Sequence, residues 1–333
     1  MPSLAIAAFL NHGASTPILD VRSPSEYAAG HIVGAVSMPL FSDEERAVVG
    51  TAYKQQGHLP AFEIGIAMVG PKMAGFVAQA RQLVGAGGAL HIYCWRGGMR
   101  SGSVAWLLAQ AGFDVQTLRG GYKAYRHYVQ AVLGQAWPLR VLAGPTGSGK
   151  TDVLLQIAKE GGQVIDLEGL ACHKGSSFGG IGQKPQPRVE DFENQLATQL
   201  LAMDATKPIW LEDESQGIGK VFILKAFYEQ MQKAPVYALE TTLEQRIARL
   251  VQDYAMLPQD ELAAAIIRLQ TRLGPQHAKA ALAALAAGDY AEVARIALVY
   301  YDKAYKASQG PKAGSVTLLD GDLAGAAKNL LKN

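Results

Sequence analysis

The run Ala89-Leu90-His91-Ile92-Tyr93-Cys94-Trp95-Arg96-Gly97-Gly98-Met99-Arg100-Ser101 reads as an apolar strand, a thiol where the strand stops, and a glycine loop framed by two arginines. An apolar stretch with helical spacing, Ser103 to Ala111, follows. Thiolate is the reactive form of cysteine. Arg96, Arg100, the loop N–H groups and a helix beginning near Ser101 all favour negative charge at Cys94. Such a loop also suits a tetrahedral dianion, because it combines amide donors with a guanidinium.

On either side the pattern alternates between strand and helix. Pro17 to Val21 reads as a buried strand, Ser23-Pro24-Ser25-Glu26-Tyr27 as a helix start, and Gly34 to Met38 as a second strand. Ser42 to Val84 reads as helical, with a loop around Gly57 to Pro60 and a new start near Pro71. After the cysteine loop come a strand at Val115 to Leu118 and a helix from Tyr122 to Leu133. This order predicts an α/β fold with a parallel sheet covered on both faces.

The pattern restarts near Gly134. Leu139 to Ala143 is a strand, Gly144-Pro145-Thr146-Gly147-Ser148-Gly149-Lys150-Thr151 follows, and Thr151 to Lys159 is a helix. That octapeptide meets every requirement of a phosphate loop. Gly144, Gly147, Ser148 and Gly149 let amides approach phosphate oxygens, Lys150 neutralises them, and Thr151 offers a hydroxyl to Mg²⁺. Further strands are expected at 163–165, 208–211, 235–239 and 315–319, and helix from Thr242 to Ser308. Glu212-Asp213-Glu214 closes an apolar strand, so Asp213 or Glu212 could hold a metal through water. Arg268 and Arg272, four apart on a helix, sit where a phosphate-covering lid could form, although an ordinary surface face is the preferred reading for them. The tract Cys172-His173-Lys174-Gly175-Ser176-Ser177-Phe178 is too rich in Gly, Ser and basic residues for a plain connector, and reads as a substrate loop carrying His173, Lys174, Ser176 and Phe178. No second ligand pair accompanies Cys172 and His173, which argues against zinc, and Cys172 is expected buried and inert.

Length and composition bound the rest. A chain of 333 residues favours two domains, drawn here as 1–133 and 134–333. No uninterrupted apolar run reaches the ~18 residues of a membrane span, so no membrane partner is expected. The apolar amino terminus lacks a basic leader. Two cysteines make no disulfide framework, which suits a reducing, cytoplasmic setting. A net charge of +2 neither requires nor excludes RNA.

Residues of the first half resemble the rhodanese family: Asp20-Val21-Arg22-Ser23 with Glu26-Tyr27, then Gly30-His31-Ile32, Gly34-Ala35 and Gly120-Gly121-Tyr122. The resemblance implies sulfur or selenium carried on the loop cysteine, with Asp20 and Arg22 structural. Cys94 and Arg100 also satisfy Cys-x5-Arg-Ser, the loop of cysteine phosphatases, although Tyr93 stands where those enzymes usually have His. The full order, adding the phosphate loop, His173-Lys174-Gly175-Ser176 and Glu212-Asp213-Glu214-Ser215 with Ile218-Gly219, resembles the tRNA 2-selenouridine synthase family. One departure is Lys303, after Tyr300-Tyr301-Asp302, where the family pattern leads us to expect Pro.

The resemblance implies a rhodanese-like domain followed by a P-loop domain with a helical carboxy-terminal part. It implies a transferase that replaces sulfur by selenium at a wobble 2-thiouridine in the tRNA anticodon loop. Selenophosphate and geranyl diphosphate are the implied co-substrates, and S-geranylation the intermediate step. Cys94, Arg96 and Arg100 then serve selenium, while the phosphate loop serves the diphosphate, with Mg²⁺ at Thr151 compatible and the use of ATP left open. Lys174, Lys184, Arg188 and Phe178 are candidates for RNA contacts. The rival readings are a general sulfurtransferase fused to a small-molecule kinase, a non-catalytic tRNA-binding or redox-sensing module, and a phosphatase.

Overall fold

The structure, a computed structural model, describes residues 2–12, 16–308, 314–317 and 322–332. Each of two units is built on a parallel sheet: Met1–Val132 with Glu193–Thr198, and Leu133–Phe192 with Gln199–Asn333.

The first unit contains β1 (Ser3–Leu4), α1 (Ile6–His12), β2 (Ile18–Asp20), α2 (Pro24–Ala29), β3 (Val36–Ser37), α3 (Asp43–Gln56), α4 (His58–Val69), α5 (Met73–Val84), β4 (Ala89–Tyr93), α6 (Met99–Gln110), β5 (Asp114–Leu118) and α7 (Gly121–Gly134). Its strands run parallel in the order β1-β5-β4-β2-β3. Leu19, Leu90, Ile92, Val104 and Leu108 pack with Phe41 and Phe76 into one core that includes Cys94. Capping boxes start two helices, Ser23 with Glu26 on α2 and Ser42 with Glu45 on α3. The expected loop around Gly57 to Pro60 is shorter than read. Gly57 turns the chain at φ 93°, and α4 begins at once with Pro60 in its first turn, where a missing N–H costs nothing. Pro71 lies in a 3-10 turn, Gly70–Lys72, that separates α4 from α5.

The second unit contains β6 (Leu139–Ala143), α8 (Lys150–Lys159), β7 (Gln163–Ile165), α9 (Leu167–Ala171), α10 (Val189–Leu201, except Glu193–Thr198, which belong to the first unit), β8 (Ile209–Glu212), β9 (Gly217–Ile218), β10 (Val221–Phe222), α11 (Lys225–Lys233), β11 (Val236–Glu240), α12 (Leu243–Tyr254), α13 (Gln259–Leu273), α14 (Pro275–Ala286), α15 (Tyr290–Ser308), β12 (Gly314–Thr317) and α16 (Leu323–Leu331). Its parallel sheet has the order β12-β11-β6-β8-β7, and β9 with β10 forms an antiparallel pair. The strand expected at 315–319 is β12, and positions 318 and 319 lie outside the described residues. The helical tract after Thr242 is broken into α12 to α15 by short turns, and the Ala-rich stretch forms α14, which packs Ala278, Ala281 and Leu285 against Leu262 and Ile266. Lys303 is exposed inside α15, where it keeps the backbone N–H that a proline would remove.

Candidate functional site

Cys94 directly follows β4, with β2 and β5 on either side, so its loop emerges at the carboxyl edge of the sheet. The thiol is 3% exposed, and its Sγ lies 3.2 Å from Oγ of Ser101 on the first turn of α6. That helix starts at Met99, a turn earlier than its apolar pattern suggests, so its N–H groups crowd the loop.

The second glycine pair explains how the loop is held. Gly121 sits at φ 60°, and a Cβ there would run into the Cys94 carbonyl and the Gly97 amide and lie 2.8 Å from the Arg96 amide. With no side chain in the way, the start of α7 closes on the loop. Tyr122 N–H donates to Cys94 O at 2.8 Å and Lys123 N–H to Trp95 O at 2.9 Å. Arg96 is exposed, whereas Arg100 is half-buried and forked onto Glu26, at 2.6 and 3.3 Å. Burial works to raise Glu26, but hydrogen bonds from Arg100 and from Ser23 N–H overcome it and hold the carboxyl below its ordinary value. The sequence drew no attention to Glu26 as the anchor of Arg100.

Below the loop, Arg22 and Asp20 are wholly buried and paired at 2.6 Å. Tyr93 donates to Asp20 at 2.6 Å, Arg22 donates to Gly30 O at 2.7 Å, and its guanidinium lies 3.8 Å from the centre of the Tyr122 ring. Burial alone would lower Arg22, yet the hydrogen bonds and charge of Asp20 leave it raised. These residues brace the loop from within and do not reach its surface.

In the second unit the phosphate loop joins β6 to α8 and lines a cavity of ≈560 Å³. Gly147 and Gly149 take φ of 78° and 89°, which opens the turn. Lys150 Nζ donates to Gly144 O at 3.1 Å, and wholly buried Ser148 has an Oγ without a protein partner. Asp213, just past neighbouring β8, lines the cavity with Thr151. Burial raises its carboxyl and the Lys150 charge opposes the rise. Glu212 lies deeper, 1% exposed, and accepts the Glu168 N–H at 2.9 Å. Burial, with the charges of Asp166 and Glu168, holds it well above the usual carboxylate range.

Several cavity residues escaped the sequence reading. Glu168 and Glu214 approach each other beside Gly175. Burial and Glu168 push Glu214 up to about 8, and burial raises Glu168 against the pull of Lys150. Gly175, at φ 61°, is where this carboxyl pair approaches the backbone, since a Cβ would lie 2.8 Å from Glu214 and 3.0 Å from Glu168. The arginines at the phosphate loop are likewise ones the sequence did not single out, and Arg268 and Arg272 keep to the exposed surface. Arg249 of α12 lies over Gly149, where a Cβ would be 2.7 Å from its guanidinium carbon, and donates to Asp152 at 3.0 Å and Gly147 O at 3.2 Å. Arg246 donates to Thr146 O at 2.8 Å and forks onto Asp302 at 3.0 and 2.5 Å. Arg268 and Arg272 instead donate to Ser177 O and to the Tyr300 hydroxyl.

The substrate loop divides. Lys174 and Ser176 line the cavity, with Lys174 paired to Asp253 at 3.4 Å. His173 packs where a Cβ on Gly219 would lie 2.8 Å away, and burial lowers its imidazole. Phe178 packs edge-on against Tyr254. Lys184 and Arg188 are exposed. Cys172 is half-buried and holds a left-handed backbone at φ 50°, so the expectation of full burial was wrong. Among the described residues no cluster of three His, Cys, Asp or Glu side chains could hold a metal by itself.

A strand-end cysteine in an arginine-bearing loop, followed in the same chain by a strand-loop-helix anion cradle, defines a rhodanese-like domain joined to a P-loop domain. The rhodanese-like domain family matches residues 5–128, and the tRNA 2-selenouridine synthase AAA domain matches residues 137–332. A tRNA 2-selenouridine synthase of Cupriavidus pinatubonensis is 41% identical over 248 residues, 72% of this chain and 66% of that protein. Those of Shewanella denitrificans and Sulfurovum sp. are 41% and 37% identical, covering 78% and 80% of this chain and 70% and 78% of theirs. The chain belongs to the tRNA 2-selenouridine synthase family, and it spans about two-thirds to three-quarters of the length of these relatives.

Proposed function

We propose that the chain is a cytoplasmic transferase that replaces sulfur by selenium at a wobble 2-thiouridine of tRNA, passing through an S-geranylated base. What carries the reading is two anion cradles of different chemistry in one chain: a thiol against the first turn of a helix that carries Arg100, and a lysine phosphate loop with a carboxylate opposite.

The division of labour follows from charge. Amides of Gly147, Ser148 and Gly149, together with Lys150, bind the diphosphate of geranyl diphosphate and stabilise it as it leaves. One hydroxyl and one carboxylate beside a diphosphate suit Mg²⁺, which keeps several waters and phosphate oxygens; Thr151 and Asp213 would hold it, and it would neutralise leaving-group charge. The scheme calls for no ATP. Alkylation turns the thiocarbonyl sulfur into a leaving group, and a selenium nucleophile derived from selenophosphate adds at C2 of the base and expels the prenyl thiolate. Cys94 positions that selenium donor at the base, with Arg96 and Arg100 available to its phosphate-like group. The anticodon loop must present an unstacked base, and exposed Lys184 and Arg188 are cations available to RNA phosphates.

Two variants separate the steps. Cys94→Ser should keep prenyl transfer to thiolated tRNA and lose selenium incorporation, and Lys150→Ala should lose prenyl transfer. Full selenium transfer by Cys94→Ser would refute the assignment. Thiosulfate turnover without RNA, coupled to ATP-dependent phosphoryl transfer, would favour a sulfurtransferase–kinase instead.

A further inference from the structure

Beside the cysteine loop is a second cavity, ≈670 Å³, to which the scheme above gives no task. It runs between α3, α4 and α6, and Tyr53, Phe62, Gly65, Ile66, Met99 and Trp106 contribute to its lining. Apart from Arg100, His58, Ser103 and the Tyr53 hydroxyl, the side chains around it are aliphatic, aromatic or the thioethers of Met73 and Met99. Ile66, Met99 and Trp106 remain 54%, 50% and 53% exposed, an uncovered apolar grouping that marks a binding site more often than an idle surface. The parent segment His58–Val84 is long and apolar enough by length and composition to cross a membrane, yet it breaks at Gly70–Lys72 and turns Ala61, Phe62, Gly65 and Ile66 to this groove.

The groove and the cysteine loop are one construction. Met99 and Arg100, the first residues of α6, belong to both. Leu40, Phe41, Phe76 and Val104 wall the groove and pack in the same core cluster as Cys94. At the loop end, His58 Nε2 lies 3.2 Å from Met99 Sδ. A loop that served only small anions such as thiosulfate would have no use for a hydrocarbon cavity at its side. Its volume falls within the ≈300–1,000 Å³ of ordinary ligand sites, which suits a branched ten-carbon chain with part of the base it is attached to.

We propose that this groove binds the prenyl chain of the S-geranylated base, so that the rhodanese-like unit selects the alkylated intermediate by its hydrocarbon tail. The inference rests on the function proposed above and adds the recognition element for its second step. Prenyl transfer needs the phosphate loop, and selenium replacement needs the groove.

Binding can be measured without turnover. Anticodon stem-loop RNAs carrying S-geranyl- or S-methyl-2-thiouridine are titrated against the full chain, with the fluorescence of Trp106 as reporter and Trp106→Phe as its control. Two variants blunt the groove at positions that tolerate change: Ile66→Asp on an exposed face, and Gly102→Leu, where an added Cβ meets nothing within 4 Å. We expect the geranyl RNA to bind about tenfold more tightly than the methyl RNA, no more than roughly two buried methylenes would supply. Both variants should erase that preference and leave the methyl RNA unchanged. Equal affinity for the two RNAs, loss of both together, or a preference that survives both variants would overturn the proposal. So would a preference left intact while Ile66→Asp converts a dimer to a monomer or releases the protein from anionic vesicles, since a second copy or a lipid surface would then be the occupant. The parent reading fails separately: a wild-type protein that prefers the geranyl RNA but yields no selenated product sinks the function and leaves the groove. Selenated product formed by Ile66→Asp at the wild-type rate from limiting geranyl RNA sinks the groove and leaves the function.

Discussion

Replacing Gly121 by Ala tests how the cysteine loop is held. At φ 60° an alanine meets the left-handed penalty of about 1–2 kcal/mol. Its Cβ would overlap the Cys94 carbonyl and the Gly97 amide, and relieving that overlap by backbone shifts costs about 1–3 kcal/mol more. The total is about 2–5 kcal/mol, or about one and a half to three and a half orders of magnitude in the opening equilibrium. The shift would also pull Tyr122 N–H and Lys123 N–H away from Cys94 O and Trp95 O, the bonds that fasten α7 to the loop. Native-state hydrogen exchange reads this locally, which matters because a two-unit chain has no single unfolding free energy. The Leu90 to Tyr93 amides of β4 should exchange faster by that factor, and selenium transfer should fall with them. Gly102→Ala is the control: it lies inside α6 with open space at Cβ, and should leave β4 protected as in the parent. If Gly121→Ala exchanged within about threefold of the parent, the close approach of α7 would not be what holds the loop.

Other outcomes follow from the same geometry. Glu26→Gln, which frees Arg100, should lower selenium transfer several-fold and leave prenyl transfer intact, as a comparison of the two rates will show. Because Glu26 is lowered in the fold, its contribution to stability is present above its ordinary value of 4.5 and is lost as pH falls below it, so parent and Glu26→Gln midpoints should converge in acid. Glu214 behaves oppositely. Raised from 4.5 to about 8, it favours the fold below 4.5 and loses that effect as pH climbs to about 8, so Glu214→Gln should unfold at higher urea than the parent above pH 8 and lose that gain by pH 4.5. A constant difference across that range would contradict the Glu168–Glu214 pairing. Gly149→Ala, at φ 89° and against Arg249, should weaken inorganic pyrophosphate binding at least about tenfold by calorimetry while leaving Cys94 alkylation unchanged.

Much of the fold can be read locally. Ala89 to Tyr93 and Leu139 to Ala143 are apolar runs that stop at glycine loops, and both are central strands of parallel sheets. What the sequence hides is partnership across distance. Glu26 and Arg100 are 74 residues apart, and nothing near Glu26 hints that it will hold a guanidinium. Glu168 and Glu214 meet because α9 follows β7 while Glu214 follows neighbouring β8, a consequence of strand order rather than spacing. Arg268 and Arg272 had helical spacing in their favour, yet α12, whose Thr242 and Gln245 form a capping box, brings Arg246 and Arg249 to the phosphate loop instead. Gly175 did carry a signal: a glycine between basic and polar residues marks a close approach, although not what approaches.

The most direct test of a two-step exchange is mass spectrometry of thiolated tRNA incubated with the chain, geranyl diphosphate and selenophosphate, singly and together. The account predicts a gain of one prenyl mass with geranyl diphosphate alone and a sulfur-to-selenium shift only when both are present. Full selenium incorporation without geranyl diphosphate, or incorporation that consumes stoichiometric ATP, would contradict it.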